Sequence, residues 1–295
     1  MATDQKTYAV RFYCGTAKNS DGETKAVSEI LSRLAVAAEN GDQNFQSHAG
    51  DERFELRDLY KSAAGGYISG VLAVLRPDAP HIREASGSEK PIPLKEGDSV
   101  IEKNHFIYYR EHELLAWQVN GRGSHVSRME KHLSMATGMN YLVTLDDVLT
   151  LDALTRLSQG IVTKLEFRAA KPKNAALIDS ANWESAAFDM MSESDATLVN
   201  VSVSTRSRHS GLSSSLKGAI HRLLNAETTR KVQVKLRAVE DPIDLMAECL
   251  KGKITVKMKG LYPDSKQVIA EMDTVKRSLQ ASIDAYFGKG DAVLG

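Results

Sequence analysis

The sequence is short of several features that usually announce a function. It holds two cysteines in 295 residues, Cys14 and Cys249. They lie far apart and form no CxxC pair, which excludes a disulfide framework and a cysteine-based zinc site and leaves two buried or idle thiols. No long apolar run is present. The opening MATDQKTYAVRFYCG lacks the apolar core of a signal peptide. The longest weakly polar stretch, Gly65 to Leu75, is too short to span a bilayer, so a cytoplasmic protein is expected. Net charge is also missing, with 38 basic against 38 acidic residues. A neutral total does not exclude a nucleic-acid binder, because clustering on one surface is what matters.

Catalytic and cofactor motifs are absent or broken. His112-Glu113 begins like a zinc-protease helix, but the second histidine would fall at Ala116. Gly121-Arg122-Gly123-Ser124 lacks the third glycine of a dinucleotide fingerprint and follows a hairpin strand, so it reads as a turn and helix start. No GxxxxGK[ST] occurs. His125 and His132 share a helix face without acidic or cysteine ligands at matching spacing. Asp147 reads as a helix cap or start rather than half of a carboxylate pair with Asp146. The expectation is therefore no enzyme, no cofactor and no metal site.

What is present suits a folded protein: 42% apolar and 26% charged residues allow a real core. The length suggests two domains. Residues 1–150 carry 17 Lys/Arg against 21 Asp/Glu, and residues 151–295 carry 21 against 17. The patterning gives a strand at Tyr8–Tyr13, a helix over 25–39, and strands over 52–60 and 65–76. A hairpin follows over 105–119, then helices over 124–136 and 151–158. The expected fold is α+β in two domains, 1–147 and 148–295. Each would be a mostly antiparallel sheet with helices packed on one face.

The second half carries the informative pattern. Four segments alternate with period two: 161–168, 199–208, 231–237 and 253–259. Helices are expected between and after them, over 181–191, 212–225 and 265–287. Ile161, Leu165, Phe167, Val201, Val203, Val232, Val234, Ile254 and Val256 mark the apolar side. The opposite side carries Lys164, Arg168, Arg206, Arg208, Lys231, Lys235, Arg237, Lys253, Lys257 and Lys259, with Glu166 as the one acid. Ten like charges on one face repel one another and disfavour the compact state, and an anionic partner would relieve that. The connection STRSRHSGLSSSLK adds His209 and Lys217 among hydroxyls, and Gly211 permits a close backbone approach. Few aromatics fall on this face and no recognition helix stands out, so backbone binding with little sequence preference is expected.

Three features together resemble the RexA-like phage-exclusion family: a first strand ending in Phe12-Tyr13, the segment EGDSVIEKNHFIYYREHELLAWQVNGRGSHVSRMEKHLS, and the stretch from VSVSTRSRHSGL to a long final helix. The resemblance implies a cytoplasmic, DNA-binding homodimer acting in phage exclusion, with a small membrane channel protein as partner. Taken together, the expected function is sequence-nonspecific binding of DNA, double-stranded in the first instance, in phage defence. The alternatives are an interaction or inhibitor protein for an acidic partner, or a metal-dependent nuclease whose site is assembled from distant residues.

Overall fold

A computed structural model describes residues 5–42, 45–49, 52–76, 81–121, 123–170, 193–194, 196, 198–205, 211–212, 220, 223–224, 229–237, 239, 241–259 and 262–294. The protein is α+β, with mostly antiparallel sheets and a few helices. Its strands in chain order are β1 (Gln5–Lys18), β2 (Thr24–Lys25), β3 (Gln46–Ala49), β4 (Glu52–Lys61), β5 (Tyr67–Arg76), β6 (His81–Arg83), β7 (Glu89–Pro91), β8 (Val100–Tyr109), β9 (Leu114–Val119), β10 (Leu142–Asp147), β11 (Val162–Ala170), β12 (Leu198–Ser204), β13 (Thr229–Leu236), β14 (Ile243–Asp244), β15 (Lys251–Lys259) and β16 (Tyr262–Pro263). The helices whose full span is described are α1 (Val27–Glu39), α2 (Val126–Ala136), α3 (Leu151–Gln159), α4 (Ser265–Ser278) and α5 (Gln280–Leu294).

The chain divides into two compact units. The first is Met1–Leu145 with Gly252–Val275, and the second is Asp146–Lys251 with Lys276–Gly295. The first changeover lies two residues from the expected boundary at 147. The chain then re-enters the first unit, so the second unit is not the continuous stretch 148–295.

The first unit holds a sheet in the order β16-β15-β1-β9-β8-β5-β4-β3, with β2 and β10 also paired to β1. One face carries Tyr13, Phe54, Leu72, Phe106, Tyr108 and Trp117 against Ile30 and Leu31 of α1 and Met129 and Leu133 of α2. Alternation along β8 turns His105, Ile107 and Tyr109 to the other face. There the imidazole of His105 meets Ser265 at 2.9 Å, and the hydroxyl of Tyr109 donates to Asp273 at 3.0 Å. Both partners belong to α4, whose Val268 and Met272 are fully buried. Helices thus contact both faces of this sheet, whereas the sequence pattern suggested one. A strand in such a position needs no alternation, and Ile68 to Leu75 of β5 are all buried.

The Gly121–Ser124 turn has a packing explanation. A Cβ on Gly123 would collide with the amide of Asn104, while the backbone N–H of Ser124 donates to Asn104 Oδ1 at 2.6 Å. The glycine lets the chain pass close to β8 before α2 begins. His132 is buried on α2 with Nδ1 2.6 Å from the hydroxyl of Ser47. Asp147 is buried at the end of β10 rather than at a helix start.

The second unit holds a four-stranded antiparallel sheet in the order β12-β11-β13-β14. Leu165, Phe167, Ala169, Val232, Val234 and Leu236 fill its buried face, with Ile220, Leu223 and Leu224 buried as well. Among the described residues β12 lies at the edge of this sheet, and Leu198 and Val203 stay exposed along it. The expected helix at 181–191 lies outside the described residues, as does most of 212–225. The single helix expected over 265–287 is broken at Leu279 into α4 and α5. Val268 and Met272 are buried in the first unit, and Ile283 and Tyr286 in the second. That stripe is therefore core within one chain. Cys249 is buried, Cys14 is half-buried, and neither is in a disulfide.

Candidate nucleic-acid interface

The candidate interface is the polar face of the second sheet. β11 sits between β12 and β13, so its outward residues have neighbours on both sides. Lys164 lies opposite Ser204 and Lys235, Glu166 opposite Ser202 and Gln233, and Arg168 opposite Asn200 and Lys231. Directly opposed residues point to the same side of a sheet, with Cβ atoms about 5 Å apart. The face is thus two rows of paired cations, Lys164–Lys235 and Arg168–Lys231, with Glu166 and Gln233 between them. Register shifts bound the pairing at 162–164 and at 168–169, where bulges raise the local twist.

Like charges placed directly opposite destabilise a sheet by a few tenths to about 1 kcal/mol each. Glu166 moderates the repulsion. Lys164 Nζ lies 2.8 Å from its carboxylate and Lys231 Nζ lies 3.6 Å away. The hydrogen bond from Lys164 is the largest influence holding Glu166 below the ordinary carboxylate pKa, followed by the charge of Lys164, with Lys231 adding to it. All three side chains are about one third or more exposed. These pairs therefore remain screened by water and open to exchange for another anion. Arg168 Nε donates to Asn200 Oδ1 at 2.8 Å, which holds the guanidinium over β12.

Lys164, Arg168, Lys231 and Lys235 therefore come together on one face. Arg237 follows β13 directly and is exposed, and its backbone N–H donates to the carbonyl of Ile161 at 3.0 Å. Arg206, Arg208, His209 and Lys217 lie outside the described residues. Gly211 is described, and its close approach is internal. A Cβ there would meet the side chain of Ile161 and the carbonyl of Val162, and Leu212 N donates to that same carbonyl at 2.8 Å.

Lys253, Lys257 and Lys259 do not join this face. They lie on β15, which is hydrogen-bonded beside β1 in the sheet of the first unit. Lys253 and Lys257 are exposed and alternate with buried Ile254 and Val256, as expected, and Thr255 bonds Thr7 of β1 at 3.1 Å. Alternation gave the faces of β15 but not its sheet, since pairing is decided by where the chain travels. The ten-to-one tally across four strands is corrected accordingly. Among the described residues, the second sheet's open face has four strand cations against Glu166 and Asp244. The carboxylate of Asp244 is engaged by the backbone N–H of Met246 at 3.1 Å.

The same registers supply residues that charge counting passed over. Asn200, Ser202, Ser204 and Gln233 share the face and bring donors and acceptors of the kind that contact phosphate. Their signal was the alternation itself, read for hydrogen-bonding capacity rather than charge. Among the described residues, no three His, Cys, Asp or Glu side chains stand together as a metal site. No described helix is long and apolar enough to cross a membrane.

The chain belongs to a family of unknown function, DUF6731. The family model matches residues 7–282, from β1 into α5, so it takes in strands of both units. No curated protein matches the chain.

Proposed function

We propose that the open face of the second sheet binds nucleic-acid backbone, double-stranded DNA in the first instance, without marked sequence preference. The observation carrying this reading is the register that sets Lys164 against Lys235 and Arg168 against Lys231 on a water-exposed face. Phosphates placed over the two rows would relieve both oppositions, and released counterions would add favourable entropy. Ser202, Ser204, Asn200 and Gln233 would donate to phosphate oxygens between the cations. The function also needs each unit to act as a domain, and needs the polar face of the second to stay free of helices.

The RexA-like resemblance gives the biological setting: a cytoplasmic homodimer acting in phage exclusion, with a membrane effector as a further partner. A dimer would double the cationic rows available to one duplex.

The test is affinity for a duplex of about 30 base pairs measured across a salt series. Four phosphate contacts predict a log–log slope of about −3.6. Absence of binding at low salt, or affinity independent of salt, overturns the proposal. Retained binding by an acidic protein in place of DNA would favour the interaction-protein alternative. Cleavage of the duplex with Mg²⁺ or Mn²⁺ would favour the nuclease.

A further inference from the structure

On the α4 side of the first sheet, a cleft of about 440 Å³ is lined by Ser265, His105, Gln118, Lys6 and Lys103 among others. Three of these residues form a connected chain. The hydroxyl of Ser265 lies 2.9 Å from His105 Nε2, and His105 Nδ1 lies 2.7 Å from Gln118 Oε1. His105 and Gln118 are almost fully buried, at 3% and 1% exposure, while Ser265 is part-exposed at the cleft wall.

The proton positions in this chain follow from its partners. The backbone N–H of His105 also points to the same Gln118 atom, at 3.1 Å. An N–H can only donate, so that atom must be the amide oxygen. Facing an oxygen acceptor, Nδ1 must carry the proton. Nε2 is then the lone-pair nitrogen, and the hydroxyl of Ser265 donates to it. This is the tautomer in which an imidazole accepts a proton from a serine. Burial is the main cause holding the His105 pKa below its ordinary value, so the ring is neutral at pH 7. The other charges bearing on it are Lys103 and Asp58, with Lys6 and Glu102 also lining the cleft.

The position of Ser265 adds a second element. Asp264 caps α4: its carbonyl accepts from Val268 N at 3.0 Å, and its carboxylate accepts from Lys266 N at 2.8 Å. The amides of Ser265 and Gln267 in that first turn have no acceptor within the helix. Such amides, at the positive end of a helix dipole, can stabilise an oxyanion.

We propose that Ser265, His105 and Gln118 form a serine-nucleophile site for acyl transfer from small esters that carry an anionic group. Ser265 Oγ attacks the acyl carbon, and its proton passes to His105 Nε2. The ester C–O bond breaks and the leaving alcohol takes that proton. Water then attacks the acyl-serine, giving a proton to Nε2, and the acid leaves as Ser265 recovers its hydrogen. Gln118 positions the ring without a charge of its own. Lys6 and Lys103 favour an anionic substrate, and Ile92, Val100, Ile101 and Pro263 supply an apolar wall for its carbon skeleton.

The test uses the full chain with a fluorophosphonate probe and peptide mapping of the adduct. One adduct on Ser265 is expected. It should be absent in Ser265→Ala and slowed about 100-fold or more in His105→Gln. Mapping on the unaltered protein decides the matter even if a variant fails to fold. No adduct on the folded protein, or an adduct elsewhere that persists in Ser265→Ala, overturns the proposal. Gln118→Glu distinguishes positioning from mere packing. A carboxylate there raises the His105 pKa, so the acid limb of the labelling rate should move to higher pH, and an unmoved limb removes Gln118 from the site. The substrate class is read from p-nitrophenyl succinate against p-nitrophenyl acetate. Faster release from the succinate is expected, and equal or slower release overturns the anionic preference. Ser265→Ala should keep the DNA affinity of the unaltered chain, which separates this site from the interface on the second sheet.

Discussion

In β5 of the first sheet, every residue from Ile68 to Leu75 is buried, whereas from Lys164 onward β11 of the second sheet alternates buried with open positions. The first sheet meets α1 and α2 on one face and α4 on the other. On the second, Lys164 and Glu166 are part-exposed and Arg168 is exposed. The difference teaches where side-chain chemistry carries information. Under a helix, a polar residue must find partners inside, as Asn104, His105 and Gln118 do with one another and with nearby backbone. On an open face nothing in the packing requires a lysine opposite a lysine, so the pairing calls for another explanation.

Charge reversal should separate the two sheets by the largest effect. Lys164→Glu, Arg168→Glu, Lys231→Glu and Lys235→Glu together should weaken DNA binding by about 10³-fold at low salt. Lys253→Glu with Lys257→Glu, on the first sheet, should change it by no more than about threefold. Equal losses from both sets would show that binding does not distinguish the two sheets. Circular dichroism melts should accompany both, to keep affinity separate from folding.

The next effect belongs to the covered sheet. His132 is fully buried, and burial pushes its pKa down to about 4. At pH 7 the ring is neutral both folded and unfolded, so it costs nothing. As the pH falls below about 6.5, the unfolded chain takes up the proton first. Stability then declines until the folded site itself titrates near pH 4. The gap amounts to about 3 kcal/mol. Urea unfolding at pH 7 and pH 4 should show this loss, and His132→Phe should reduce it.

Smaller still is the turn against β8. Gly123→Ala should cost about 1–3 kcal/mol by pressing on Asn104. Gly121→Ala, with open space around it, should stay within about 0.5 kcal/mol. Equal thermal shifts would remove the packing account of Gly123. The smallest effect sharpens the open face: Glu166→Gln deletes the acid between the cation rows and should tighten DNA binding about two- to fivefold.

Much of the fold was legible wherever one face of an element is wet. The outward sets of β11, β13 and β15, the hairpin of β8 and β9, and helices α1, α2 and α3 all follow from periodicity. The cleft at Ser265 was not legible, because 160 residues separate it from His105 and no spacing rule joins them. The break at Leu279 was hidden for a related reason. The apolar stripe runs on through two helices although Val268 and Ile283 belong to different cores.

By itself the sequence determined which side chains face together along each strand, since alternation is a local property of an extended backbone. It thereby marked Lys164, Arg168, Lys231 and Lys235 as a cationic set. Only the tertiary structure decided that Lys253, Lys257 and Lys259 sit in another sheet, that Glu166 reaches Lys231 on the neighbouring strand, and that His105 meets Ser265. Those outcomes depend on strand neighbours chosen by long-range pairing, where hydrogen bonds between backbones are the same for any sequence.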